Sequence, residues 1–490
     1  MDSSEQQLAI IGGGITGLTA AYEAVSRGAT QVHVYESAAR LRGKIESGQL
    51  NGTTINRGAE FIDSEHAVLR GLCQAMDVPL VENRGMAQEC FQRPNGALMS
   101  SEDFYAAYKP YAEQIILDRA ELTSNPTSER AQTIRQQSLA DYLAHLQKTV
   151  PPAPRSIWDA VKDTALLRGH ASATALAIAS NIYAAEAGQP TGNISAAQFI
   201  AETSPTTDSF LASDCKYRVE GGTEALITRL RAWLAAQGVV FHMESPIARL
   251  DKQADGKIAL GFANGAPATA YDRTILALPT YALAKVQGLD ALGLSQPSLA
   301  WLDSNQYTNS IKFTVATQPN VAAPEGAFYG RGFQSWSPAS GLVTFLVNAE
   351  TLGHGQTPKQ LLTGVMESYA ASHGSSVDRM FDVRQLNFTN PGSAACYATP
   401  TPAQLAAVSH FSAELPTLAN NGIGIAGTFL PHQGGYGFME CGVVSAKQSI
   451  DMLLAPEKTA EAPRMKQWAP DIAAARTAAN DPSHSIAATR

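Results

Sequence analysis

The chain has 490 residues, 44% of them hydrophobic and 16% charged, with a formal net charge of −8 and a pI near 5.7. That length carries two or three domains at roughly 150 residues each, and that balance fills a large core. The acidity excludes a general electrostatic footprint for nucleic acid or anionic membrane, and no stretch approaches the roughly 18 apolar residues of a membrane span.

Residues 8–36 read LAIIGGGITGLTAAYEAVSRGATQVHVYE. Leu8–Ile11 predicts a strand, Gly12-Gly13-Gly14 a tight turn, and the Ala-rich run to about Arg27 a helix stopped by Gly28. A second strand follows over Gln31–Tyr35 and ends at Glu36. This is a G-x-G-x-x-G turn with every flanking element of a dinucleotide-binding unit. Gly12 permits the turn, Gly14 removes a Cβ that would hold a pyrophosphate off the backbone, and Gly17 lets the helix close on the strand. Ile15 and Thr16 open the helix, whose free N–H groups and dipole favour phosphate. Glu36, with Ser37 beside it, can accept hydrogen bonds from a ribose diol. Its charge would repel a 2′-phosphate, which disfavours NADP.

The next segment reads SAARLRGKIESGQLNGTTINRGAEFID. Its basic, glycine-containing loop resembles the second signature of the flavin amine oxidase and protoporphyrinogen oxidase superfamily. Arg40, Gly43 and Lys44 fall on that pattern, and Gly58-Ala59-Glu60-Phe61 fits the segment that passes near the isoalloxazine ring. A second basic loop suits FAD, which is longer than NAD and needs accompaniment along pyrophosphate and flavin. Arg42 departs from the pattern, standing where the family usually has a glycine.

The resemblance covers most of the chain. KYRVEGGTEALITRLR (216–231) looks like the glycines and helix that follow a helical substrate domain, and DRTILALP (272–279) like a strand returning to the dinucleotide fold. In VVFHMESPIARL (239–250), Ile247 takes the place of a backbone contact to adenine. GIGIAGTFLPHQGGYGFMECGVVSAKQSIDMLL (422–454) resembles the last flavin-binding element, a strand over Gly422–Ala426 and a helix beginning around Phe438. Gly427, Thr428 and Met439 are its implied contacts, although the family often has Glu at the position of Thr428.

The implied fold is α/β: a discontinuous, Rossmann-type (GR2-like) FAD-binding domain from residues 1–75, 205–290 and 395–455. An α+β substrate domain from 76–204 and 291–394 caps it, and 456–490 reads as a tail. Residues 76–204 read largely helical, with apolar spacing over Ser138–Lys148, Ala160–Arg168 and Ala171–Glu186, and 306–316 and 341–348 read as strands.

For chemistry, Lys312 matches the family lysine that holds a water near flavin N5 and assists reoxidation. On a strand its neighbours Ile311 and Phe313 would face the other side. Tyr397 and Phe438 match two aromatics that form a slot guiding an amine to the ring. Cys396 stands where some members carry a covalent link to FAD; non-covalent FAD is the main expectation. Glu60 and His66 are candidates for substrate contact, and Arg331 is the one candidate for clamping the carboxylate of an amino acid. No metal site suggests itself.

The resemblance implies an FAD-dependent oxidase turning an amine, or an amino acid, into an imine while oxygen becomes hydrogen peroxide. The alternatives are a desaturase of the protoporphyrinogen or phytoene type and a catalytically silent FAD-binding protein. Five scattered cysteines form no C-x-x-C pair, and no signal-peptide pattern precedes Leu8, so a cytoplasmic protein with reduced thiols is expected. Its expected partners are a small amine and molecular oxygen, without nucleic acid or stable membrane insertion; a homo-oligomer is left open.

Overall fold

The computed structural model describes residues 6–86, 88–151, 171–305, 310–348, 355–389, 400–432 and 435–454. Its organising element is a five-stranded parallel sheet whose order is Ile423–Ile425, Arg273–Leu276, Gln7–Ile11, Gln31–Tyr35, Val240–His242. Gln7–Ile11 lies at the centre with Leu8–Ile11 buried, as an apolar strand covered on both faces requires. The helix Ile15–Ser26 follows, and its small buried residues (Thr16, Gly17, Ala20, Ala21, Ala24) let it pack closely against both Glu224–Ala236 and the last helix, Met439–Leu454. The contact is tight: a Cβ added to Gly442 would lie 2.5 Å from Thr16 Oγ1. Three separated stretches of chain therefore build one sheet and its helical cover.

A second sheet has seven strands in the order Phe381–Phe388, Ser310–Thr317, Leu342–Asn348, Phe333–Trp336, Ala327–Gly330, Glu89–Gln92, Leu98–Ser100. Ser310–Thr317 is buried at every position. Ile311, Phe313 and Val315 pack into the core formed with the helix Pro358–Ser372. Alternation sends Lys312 and Thr314 to the opposite face.

The hairpin Glu89–Gln92/Leu98–Ser100 extends this sheet from within a stretch that reads largely helical. Its turn holds Asn95 and Gly96, with Gly96 at φ +86° and Arg93 N–H donating to Ala97 O at 2.8 Å. The strands are short, and their partner Ala327–Gly330 lies over 200 residues away, so local periodicity carries little of the signal.

The helices Ser101–Ser124, Glu129–Gln136, Leu139–Thr149, Ala171–Ala187 and Ala196–Glu202 enclose an aromatic core that includes Phe104, Tyr108, Tyr142, Tyr183 and Phe199. Four of them begin after a serine (Ser100, Ser128, Ser138, Ser195) whose side chain accepts an N–H of the first turn. The predicted helix Ala160–Arg168 lies outside the described residues. Among those described, no helix is long and apolar enough to cross a membrane.

Candidate active site

The glycine turn sits at the carboxyl edge of the parallel sheet, where Gly12 N–H donates to Tyr35 O at 2.8 Å. Gly12 adopts φ +115°, and a Cβ on Gly17 would fall 1.9 Å from Gly12 O. These two glycines therefore close the turn onto the helix. Gly14 differs: its φ of −80° suits any residue, and an added Cβ would stand in ordinary contact, 3.4 Å from Gly43 Cα, at the cap of the helix. Glu36 reaches this turn from the second strand, its Oε2 accepting from Gly13 N–H at 2.9 Å.

The basic loop forms the facing wall. Gly43, at φ +57°, approaches so closely that a Cβ there would lie 3.0 Å from Gly14 Cα. Arg42 pairs with Glu46, as do Arg40 at 3.2 Å and Arg57 at 3.4 Å. Partial burial opposes ionisation of Glu46, but the three guanidinium groups hold its carboxyl below the ordinary range. Arg42, Lys44 and Glu46 line the cavity, whereas Arg40, half exposed, pairs with Glu46 without lining it. Lys44 Nζ reaches Thr428 Oγ1 at 3.5 Å, tying the loop to the C-terminal element.

From this cradle a single cavity of about 1500 Å³ runs inward between the two sheets. Of the residues expected to hold FAD, Gly12, Gly14, Ile15, Thr16, Glu36, Ser37, Gly43, Lys44, Gly58, Ala59, Glu60, Phe61, Ile247, Gly427, Thr428, Phe438 and Met439 all line it. Gly17 does not, consistent with a packing task. Tyr397 and Cys396 lie outside the described residues. The volume exceeds the roughly 300–1,000 Å³ of a drug-sized ligand site, leaving room for a long cofactor and a substrate together. The bare Gly14–Gly43 approach, the uncapped helix end and the flanking Arg42 and Lys44 all suit a pyrophosphate, so the residues present fit FAD.

In the cavity wall Lys312 is buried, 9% exposed. Its Nζ donates to Gly58 O at 3.0 Å and to Glu60 Oε2 at 2.6 Å, and lies 5.2 Å from the centre of the Trp336 ring. Glu60 Oε1 stands 3.5 Å from an Arg218 nitrogen. Phe61 meets Trp336 edge-on at 5.0 Å, and His66 lies 5.6 Å from Phe438. Burial lowers the His66 pKa despite nearby Glu440 and Asp214. Asp63 is pushed up to about 6 by burial, although Ser213 and the Cys215 N–H bond to it at 2.9 Å each.

The cavity wall also carries residues that the sequence did not single out. Glu186 accepts from Gln334 Nε2 at 2.5 Å, and Glu89 accepts from the Tyr105 hydroxyl. Burial raises the pKa of both carboxyls; the Gln334 bond on Glu186, and the Tyr105 and Tyr329 bonds on Glu89, act the other way. Among the described residues neither makes an ion pair, and both line the cavity. They come from segments nearly 100 residues apart, brought together by the seven-stranded sheet and the helix Ala171–Ala187, so no local motif announces them. Arg331 is exposed and lies off the cavity, its N–H donating to Gln92. The arginines that do line the cavity, Arg42 and Arg57, are both engaged by Glu46.

Fold and cavity together define an FAD-dependent oxidoreductase built on a Rossmann-type sheet. The model of the flavin containing amine oxidoreductase family matches residues 15–448, and the chain belongs to that family. Its cofactor is FAD, and its activity is FAD-dependent amine oxidation. Among solved structures the chain is similar to a putrescine oxidase determined with bound putrescine, at 14% identity and a TM-score of 0.71, covering 92% of this chain and 99% of that one. It is also similar to the cyclohexylamine oxidase of Brevibacterium oxydans IH-35A, at 16% identity and a TM-score of 0.69, covering 92% and 98%. No curated protein matches it in sequence.

Proposed function

We propose that the chain oxidises the C–N bond of a small amine bearing positive charge, with Lys312 and Phe438 at the reacting end of the cavity and FAD held non-covalently. The amine loses two electrons and two protons to become an imine, and dioxygen takes them up as hydrogen peroxide. Bound FAD supplies the acceptor for the equivalent of a hydride leaving the carbon next to nitrogen.

The observation that carries this reading is one cavity wall that presents the phosphate cradle, the buried Lys312, the Phe438 ring and two carboxyls that make no ion pair among the described residues. Glu89 and Glu186, whose carboxyls burial pushes toward the neutral form, would gain from an ammonium group beside them the cation that keeps them ionised, while Phe61 and Phe438 offer apolar faces that favour the neutral amine where oxidation occurs. An amino acid fits poorly: its carboxylate would meet two acids, and both lining arginines are already taken by Glu46. A desaturase acting on a carboxylate-bearing porphyrinogen meets the same obstacle.

The test is anaerobic mixing of the flavin-loaded protein with a panel of amines, amino acids and polyamines while the flavin absorbance is followed. Bleaching by an amine, reversed by air with release of peroxide, is the expected result. Bleaching by an amino acid but by no simple amine, or by no nitrogen compound in protein that dithionite reduces, would sink the proposal.

A further inference from the structure

We propose that Glu60 is a positioning residue: it grips the Lys312 ammonium so that one proton stays free toward the cavity, and Arg218 holds Glu60 in place. The inference rests on the reading of Lys312 as the group that assists flavin reoxidation.

An ammonium has three donors and no acceptor. Lys312 spends one on Gly58 O at 3.0 Å and one on Glu60 Oε2 at 2.6 Å, both on the same three-residue segment. Among the described residues no protein group takes the third, and Lys312 lines the cavity. A lysine stem would ordinarily sample many rotamers; two anchors and the Trp336 ring at 5.2 Å leave it one arrangement. Buried this deeply, an ammonium also needs a counter-ion to remain charged, and Glu60, 5% exposed, is the acid it touches.

Glu60 needs its own support, and the fold provides it. Arg218 stands 3.5 Å from the other carboxylate oxygen and is itself held by Pro338 O at 2.9 Å. Two segments are tied backbone to backbone, Ile62 N–H to Tyr217 O at 2.9 Å and Tyr217 N–H to Ile62 O at 2.8 Å. A third joins them, because Thr389 N–H donates to Lys312 O and its hydroxyl to Arg57 O, each at 2.9 Å. Charges thus alternate from Arg218 through Glu60 to Lys312, with the free donor at the cavity end. The net positive charge sits where electrons must pass to oxygen, and such fixed charge needs no reorganisation during the reaction.

The test compares flavin-loaded wild type, Glu60→Gln, Glu60→Asp, Lys312→Met and the Glu60→Gln/Lys312→Met double variant. Each is reduced with dithionite without air, mixed with oxygenated buffer, and followed by flavin absorbance; the midpoint potential of the bound flavin is the second readout. Lys312→Met and Glu60→Gln should each slow reoxidation at least about tenfold, with Glu60→Asp between them and wild type. The double variant should be no slower than Lys312→Met, the signature of one residue acting through the other. Glu60→Gln should raise the potential and Lys312→Met lower it.

Wild-type reoxidation in Glu60→Gln, multiplied rather than shared effects in the double variant, or a potential that no substitution moves would overturn the positioning role while leaving the Lys312 reading intact. Wild-type reoxidation in Lys312→Met would remove both. If Glu60→Gln fails to hold flavin, Glu60→Asp decides: it should be slow, and a wild-type rate overturns the proposal.

Discussion

Two glycines of the phosphate turn make opposite predictions, although only two residues stand between them. A methyl group at Gly17 would meet Gly12 O at 1.9 Å, against the 3.4 Å at which ordinary contact begins, so the helix Ile15–Ser26 must retreat by 3.4 − 1.9 = 1.5 Å. It has little room to do so, because Thr16 on its other side already touches Gly442 of the last helix. Well-packed interiors yield by fractions of an ångström, so the cost of Gly17→Ala is placed at the top of the overpacking range, about 3 kcal/mol. At Gly14 the same methyl would stand 3.4 Å from Gly43 Cα with the backbone in an ordinary conformation, so Gly14→Ala should change stability by less than about 1 kcal/mol. That methyl, however, stands in the cradle, and FAD affinity should fall at least about tenfold. Thermal melting of the apoprotein, followed by fluorescence titration with FAD, separates the two effects. Gly14→Ala protein that binds FAD as tightly as wild type would refute the cradle, and Gly17→Ala apoprotein that melts with wild type would refute the packing argument.

Lys312→Met leaves Glu60 buried with Arg218 at 3.5 Å as its remaining partner, so stability should drop by about 3 kcal/mol, near the low end for a broken buried pair; adding Glu60→Gln should recover part of it, as urea unfolding would record. Glu440, 2% exposed, accepts the Val68 and Leu69 N–H groups at 3.0 and 2.7 Å and so anchors the helix Ala67–Ala75 to the last helix. Glu440→Gln keeps one acceptor and presents an NH₂ to the other donor, which should cost about 1.5–3 kcal/mol in the same unfolding assay. His33 and His242 share a 3.0 Å contact, and burial first, then the repulsion of His242, lowers the pKa of His33 below 6.5. A lowered imidazole contributes stability that is present above 6.5 and lost as pH falls below it, because the unfolded chain takes up the proton first. His33→Gln should therefore melt with a shallower acid slope than wild type, and parallel curves would count against the pair.

What could be read from the sequence follows from how far apart the participating residues lie. The strand, glycine turn, helix and second strand were legible because each signal sits beside the next, and the structure places them at Gln7–Ile11, Ile15–Ser26 and Gln31–Tyr35. Strand alternation alone put Lys312 on the face opposite Ile311 and Phe313, yet its partner Glu60 is 252 residues away and no pattern joins them. Glu186 and Gln334 meet across 148 residues, and Glu186 sits in an alanine-rich helix that reads as packing. The choice between Arg40 and Arg42 was equally hidden: both belong to one loop, and only the position of Gly43 against Gly14 decides which guanidinium faces inward.

That loop also resolves a tension in the charge distribution. A protein of net charge −8 must hold a pyrophosphate, and the acidic whole gives no help. Arg40, Arg42 and Arg57 converge on the single carboxylate of Glu46, so three positive charges against one negative leave +2; Lys44 raises this to +3, and Glu36, which accepts from Gly13 N–H at the turn, returns it to +2 around the cradle. The shared glutamate holds mutually repelling guanidinium groups together, which explains why an arginine at 42 is tolerated where a glycine would leave more room: it adds charge to the wall while Gly43 supplies the close approach. The same cavity wall carries Glu89 and Glu186, neither in an ion pair among the described residues. On the reading proposed above, a basic cradle and acidic carboxyls on one cavity wall would sort two ligands of opposite charge, the pyrophosphate against the glycine turn and the amine beside Glu89 and Glu186.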